Sequence, residues 1–236
     1  MTAPSRTIVT LDGPAGVGKS TTARAVAERL GWRYLDSGAL YRAVAHALLE
    51  EGIDRDAWPD LDDSVLHALG LTVDPEGTSL VIRRRGRPLG PELRTPEVTA
   101  AVSAVARIPS VRAWLLDAQR AAGSRGRLVA DGRDMGTVVF PDAATKIFLT
   151  ADPAERARRR LGDHGVTHPD PDEVALECAR LEARDRADRE REISPLRPAS
   201  DALHLDTTEL DFAAQVDAVV RHVIRRAGVD SERHRI

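Results

Sequence analysis

The eight residues GPAGVGKS, Gly13 to Ser20, constrain this chain more than any other part of it. They match G-x-x-x-x-G-K-S in full. A loop of that kind works only where a strand delivers it and a helix leaves it. The flanks agree. TIVTL, Thr7–Leu11, is a short apolar strand, and Ala23, Val26, Ala27 and Leu30 then share one helical face until Gly31 ends it. The glycines let several N–H groups turn inward, and those groups with the helix N-terminus bind anionic oxygens. Lys19 reaches β- and γ-phosphates, and Ser20 is placed to ligate Mg²⁺. The expected triphosphate site is Gly13, Pro14, Ala15, Gly16, Val17, Gly18, Lys19, Ser20 and Thr21. Of 34 Lys plus Arg, only Lys19 and Lys146 are lysine. In a chain that otherwise uses arginine for its cations, a lysine in the phosphate motif points to chemical need.

The rest of the chain alternates strand and helix, which predicts an α/β fold with a parallel sheet covered by helices on both faces. WRYLD is a second strand and SGALYRAVAHALLEEG a second helix. DLDDSVLHALG is a short helix. LTVDPEGTSLVIRRRGRPLG breaks the alternation and reads as a small antiparallel insertion around a turn. Thr95 caps the next helix ahead of Pro96, and Ser110 is expected to cap another that ends near Gly123. RLVAD, TKIFLTA and ALHLDTT are further strands. Asp152 and Asp170 each begin an Asp-x-x-Glu capping box. The last helix places Phe212, Val216, Val219, Val220, Val223 and Ile224 on one face, and the DSERHRI tail is expected to be loose.

Among phosphate-loop proteins, a GTP switch needs an Asn-Lys-x-Asp base reader, and the chain has none. A nucleic-acid ATPase is usually larger and more basic, whereas this chain has 236 residues and a formal net charge of −3. Arginine-rich segments downstream of the loop favour a kinase of a small, negatively charged acceptor.

Three stretches look suited to that acceptor. In LDSGALYR, Asp36 ends a strand, Ser37 opens a helix and Arg42 lies a turn inside it, which together make an anion site. In ADGRDMGTVVFPDA, two carboxylates flank one arginine at a strand's C-terminal end, where ligands of α/β sheets sit. There Asp131 suits Mg²⁺ held through water, Arg133 the transferring phosphate, and Asp134 a base. In EARDRADRERE, Arg184, Asp188 and Arg191 fall at i, i+4 and i+7, one helical face that suits a ribose and a phosphate.

GPAGVGKST, YLDSGALYRA, ELRTPEV, VSAVARIPSVR, ADGRDMGTVVFPDA and ARDRADRER together resemble bacterial cytidylate kinases, from about Ile8 to the last helix. The resemblance implies transfer of the γ-phosphoryl group of ATP to CMP or dCMP. It also implies a nucleoside-monophosphate-kinase fold with a mobile lid and an enlarged acceptor region. By similarity Ser37, Arg42, Ser103, Arg112, Arg133, Asp134, Arg184, Asp188 and Arg191 line the acceptor site. Lys19, Arg133, Asp131 and a lid arginine carry catalysis. That arginine is one of Arg156, Arg158, Arg159 and Arg160, and Arg159 is taken here. Asp134 would accept from the cytosine amino group and Arg112 donate to the ring acceptors, with Ser103 able to do either. A kinase of another small acceptor, or a nucleotide-binding regulator without catalysis, remains open at this stage.

The expected organisation is one kinase chain: a core at about 1–36, 110–155 and 195–228, an acceptor region at about 37–109, and a lid at about 156–171. Its ligands are ATP with Mg²⁺, and CMP or dCMP. A monomer is expected, with no nucleic-acid or membrane partner. Cys178 is the single cysteine and the N-terminal stretch lacks an apolar run, so the chain is read as cytoplasmic.

Overall fold

The computed structural model describes residues 7–227, so the reading of the DSERHRI tail, like residues 1–6 of the expected core, lies outside the described residues. Five strands form one parallel sheet: β1 (Ile8–Asp12), β2 (Arg33–Asp36), β6 (Leu128–Gly132), β7 (Thr145–Thr150) and β8 (Leu203–Asp206). Their order is β2-β6-β1-β7-β8. The pairing aligns Leu11 with Asp131, Asp36 with Asp131 and Asp12 with Gly132. Three acidic residues therefore meet at the carboxyl ends of neighbouring strands, the end at which such sheets bind ligands.

Strand alternation divides the core in two. Val9, Leu11, Val129, Ile147 and Leu149 face α1 (Lys19–Leu30) and α8 (Phe212–Ala227). Leu128 and Ala130 face the opposite layer, built from α2 (Ser37–Glu50), α4 (Pro96–Val105) and α5 (Pro109–Gly123). Ile8, Thr10 and Asp12 point to that second side by the same period. A one-turn π-helix, Met135–Val139, covers them there, with Met135 fully buried.

The insertion comprises α3 (Asp63–Ala68) and an antiparallel sheet of β3 (Leu71–Glu76), β4 (Ser79–Arg84) and β5 (Arg87–Pro88). Its hairpin tip returns to the main sheet, where the Thr78 carbonyl accepts from Tyr34 N at 3.1 Å on edge strand β2.

Several expectations need correction. Ser110 does not cap α5: Ile108 is the cap residue, Pro109 takes the first helical position, and the Ser110 hydroxyl donates to the Leu61 carbonyl. Proline fixes the entry angle there without a side-chain cap. Asp170 and Glu173 form the full capping box of α7 (Pro171–Arg189). On α6 (Pro153–Asp163) no such box forms: Asp152 accepts from Ala154 N, its own N–H goes to Thr208, and Glu155 turns to Arg159 and Arg158. Phe212 is 55% exposed at the start of α8, while Val216, Val219, Val220 and Val223 are buried. Arg191 lies beyond the end of α7 and does not continue its face; the buried face of that helix is Leu181, Asp185 and Asp188.

Asp185 explains why α7 cannot shift against the phosphate loop. It is completely buried and accepts from Ala15 N at 2.8 Å and from Arg156 on α6. Arg156 also donates to the Ala15 carbonyl at 3.0 Å. The loop, α6 and α7 are thus joined through one buried ion pair. Removing one member of such a pair leaves a buried charge unpaired, which costs about 3–5 kcal/mol. Replacing Arg156 by Met is therefore expected to lower the midpoint of thermal unfolding by roughly 10 °C. An Arg158→Met control, at a 57% exposed side chain on the same helix, is expected to leave it nearly unchanged.

Candidate active site

The donor end begins where β1 stops. Gly13 takes φ 148°, and a Cβ there would lie 2.3 Å from the Leu149 carbonyl oxygen, so no other residue fits. Gly16, at φ 78°, packs against Arg156 in the same way. Ala15, Gly16, Gly18, Lys19, Ser20 and Thr21 line a cleft of about 1100 Å³, while Gly13, Pro14 and Val17 form the loop behind it. Lys19 is buried and donates to the Pro14 carbonyl, a contact a phosphate can replace. Burial, then Arg133, pulls its ammonium well below the ordinary lysine value, and Asp131 and Asp185 oppose this.

Asp131 sits under the loop. One oxygen accepts from Ser20 Oγ at 2.8 Å and the other from the Tyr34 hydroxyl at 2.7 Å. Burial and the neighbouring Asp36 push its carboxyl up to about 6, against the Tyr34 and Ser20 hydrogen bonds and Lys19. A hydroxyl and a carboxylate oxygen side by side are hard ligands of the kind Mg²⁺ takes along with its own waters. Among the described residues no group of three or more His, Cys, Asp or Glu side chains forms an all-protein metal cage.

The same cleft is also lined by Ser37, Arg42, Ser103, Arg112, Arg133, Asp134, Arg184, Asp188 and Arg191. Most of these side chains already have partners. Arg112 pairs with Asp134, both buried, and its guanidinium lies 5.4 Å from the Tyr41 ring centre. Arg133 Nε donates to Asp188 at 2.9 Å, and Arg191 lies 3.8 Å from the other Asp188 oxygen. Arg42 pairs with Asp36 at 2.9 Å, and Ser37 accepts from Gln119 at 2.8 Å.

These pairs leave donors over. Arg42 Nε, Arg112 Nε and one terminal nitrogen of Arg191 are buried without a hydrogen-bond partner. Burial and then Arg133 lower the Arg184 guanidinium to about 10. Burial alone would raise the Asp188 carboxyl, but Arg133 and Arg191 hold it below its ordinary value. Cations crowded this closely, with donors unspent, suit a ligand that brings several negative charges.

Of the four arginines at the root of α6, Arg156 is turned into the fold. Arg158 is exposed and pairs with Glu155. Arg159 and Arg160 both line the cleft. Arg159 is held by Glu155 and by the Thr207 carbonyl at 2.7 Å, whereas Arg160 meets only Asp163, at 3.9 Å.

Four residues that the sequence did not single out shape the site: Tyr34, Tyr41, Arg94 and Asp12. Arg94 lines the cleft 3.7 Å from Asp36. Asp12 is buried, and its two oxygens accept from Met135 N at 2.9 Å and Gly136 N at 2.7 Å. Burial pushes this carboxyl up to about 7, against those two N–H groups. The one signal for Asp12 in the sequence is a carboxylate ending an apolar strand, the feature that did draw attention to Asp131.

The raised Asp131 carboxyl has a consequence for stability. Between its ordinary value of 3.8 and about 6, the folded protein keeps a proton that the unfolded chain has released. Stability is therefore lost as pH rises through that window, and the deficit persists above it. Asp131→Asn is expected to raise the unfolding midpoint relative to the unaltered protein at pH 8 by more than it does at pH 5. The difference is at most about 3 kcal/mol, or several degrees. Melting curves of both proteins without ligands, at the two pH values, check this.

A family model described as cytidylate kinase matches residues 9–228 of the chain. The chain is 44% identical over 213 residues to a cytidylate kinase of Oleidesulfovibrio alaskensis, covering 90% of this chain and 96% of that one. It is 42% identical over 227 residues to a cytidylate kinase of Pseudomonas aeruginosa, covering 93% and 96%. A bifunctional pantoate ligase/cytidylate kinase of Synechococcus sp. is 48% identical over 215 residues. There the match takes in 90% of this chain but 43% of the relative, so the chain spans less than half of that longer protein.

Proposed function

Because this chain belongs to the cytidylate kinase family, we propose that it transfers the γ-phosphoryl group of ATP to CMP or dCMP, giving ADP and CDP or dCDP. The observation that carries this reading is the buried Arg112–Asp134 pair, which lines the cleft that also holds the phosphate loop. A carboxylate that only accepts and a guanidinium that only donates match the amino group and ring acceptors of cytosine. Uracil offers a carbonyl where cytosine offers an amino group, and would face the carboxylate with an acceptor.

A phosphate oxygen of CMP attacks the γ-phosphorus as the bond to the leaving ADP oxygen breaks. No covalent enzyme intermediate is needed, because catalysis here is positioning and charge stabilisation. Lys19 leaves the Pro14 carbonyl for the β- and γ-phosphates. Arg42, Arg133 and Arg191 hold the acceptor phosphate. Arg184 and Asp188 hold the sugar, and Ser103 joins Arg112 and Asp134 at the base. Ser20 and Asp131 would hold Mg²⁺, which would supply charge neutralisation to the donor phosphates. Arg159 acts from the lid, with Arg160 the alternative because its side chain is less committed.

The same proposal divides the chain into a core, an acceptor region at about 37–109 and a lid at about 156–171. The lid would pivot over its root at the buried Arg156. A monomeric cytoplasmic enzyme without a nucleic-acid partner is in keeping with the net charge of −3 and the single cysteine. Among the described residues no helix is long and apolar enough to cross a membrane.

Lys19→Ala is expected to stay folded and to lose about 10²–10³-fold in kcat, with a smaller change in ATP affinity, because the lysine matters most as charge develops. A folded variant with near-normal turnover would remove Lys19 from the chemistry.

A coupled assay of ATP against CMP, dCMP, UMP and AMP tests the acceptor. CMP and dCMP are expected to be good substrates and UMP poor. Asp134→Asn is expected to reduce kcat/KM for CMP by about 10–100-fold while sparing UMP, since the amide can rotate a donor towards uracil O4. An equal loss for both acceptors would assign Asp134 to phosphate or metal instead.

A further inference from the structure

We infer that Asp12 is a positioning residue for base choice, which caps the Met135–Val139 turn from a different strand and so leaves the Asp134 carboxylate free to face Arg112. The inference rests on the reading of Asp134 as a base reader.

Asp134 occupies the residue before the first turn of that π-helix, the position from which an aspartate ordinarily folds back to accept one of the first unpaired N–H groups. It makes no such bond. The N–H groups of Met135 and Gly136 go instead to the two oxygens of Asp12, more than a hundred residues away in sequence. Only the main chain of Asp134 joins the turn, its carbonyl accepting from Val138 N at 2.9 Å and Val139 N at 3.2 Å. Its side chain points to Arg112, which is fixed in turn by the Ala106 carbonyl at 3.1 Å.

Strand period supplies the geometry. Leu11 faces α1 and α8, so Asp12 must face the opposite layer, where the turn lies. The turn also fits closely. A Cβ on Gly136 would come within 2.8 Å of Thr10 Oγ1 and 3.3 Å of Asp12 Oδ2, so the clamp closes only over glycine. With Asp12 unable to accept both N–H groups, those donors would need another acceptor, and the carboxylate of Asp134, the residue just before the turn, would be drawn from Arg112 to supply it. The cytosine-reading oxygens would then be drawn into capping their own turn.

Two variants test this. Asp12→Asn keeps the shape but offers an NH₂ where one N–H needs an acceptor. Gly136→Ala leaves Asp12 intact and pushes the turn off the clamp. Each is assayed with CMP and UMP at saturating ATP and with ATP at saturating CMP, alongside thermal melting. The expected result for both is a roughly tenfold or larger fall in the CMP/UMP ratio of kcat/KM, carried mainly by KM for CMP, with KM for ATP within about twofold. In an Asp134→Asn background, Asp12→Asn is expected to change that ratio less than twofold. A purely structural role would lower the melting temperature or all activities together and leave the ratio alone, and that result overturns the inference. If Asp12→Asn gives no folded protein, Gly136→Ala decides. If neither folds, Asp12 is an element of the fold and the inference also fails. Should Asp134→Asn itself leave the ratio unchanged, the base-reading assignment falls first. A ratio changed by Asp134→Asn but by neither test variant refutes the Asp12 role alone.

Discussion

A loop that keeps most of its backbone N–H groups for phosphate oxygens has few left to hold itself in place. Here two buried carboxylates take over that work. Asp185 takes the Ala15 N–H, and Asp131 accepts from the Ser20 hydroxyl just past the loop. Each carboxylate is costly to bury and each is satisfied by polar partners, which is the condition under which burial is tolerated. The two lie on different elements, β6 and α7, so the loop is fixed only when distant parts of the chain are assembled.

The acceptor half follows a different logic. Its charges are already paired with each other: Arg112 with Asp134, Arg133 with Asp188, Arg42 with Asp36. A nucleotide entering this cleft exchanges one set of polar partners for another instead of meeting bare charge. Side chains held by a partner are also held in direction, so part of the ordering entropy is already spent before the ligand arrives.

Much of this was legible in the residues alone. The phosphate loop, the parallel sheet, the antiparallel insertion and the family follow from motifs with a local cause. The misreadings share a different origin. Ser110 has the chemistry of a cap, but Pro109 ahead of it set where the helix began. Arg191 keeps the spacing of a helical face, yet the helix ends before it, and it reaches Asp188 from the following turn. Phe212 fits the apolar period of α8 but stands at its first residue, where the neighbouring elements no longer cover it. Asp12 showed only as a carboxylate ending an apolar strand, because its partners lie on a π-turn that no local pattern announces. Long-range pairing of backbone groups leaves no trace in spacing.

The contact between the inserted hairpin and the main sheet reaches beyond the site. Strand β2 forms one border of the parallel sheet, and a border strand exposes a row of backbone donors and acceptors to any other extended chain. The Thr78 carbonyl occupies the Tyr34 N–H on that border, and β4 packs beside it. The antiparallel insertion thereby also works as a bumper. It denies the sheet's open margin to a sixth strand, whether from a misfolding neighbour or from a second molecule, while the strand beneath it stays free to present Asp36 and Tyr34 to the cleft.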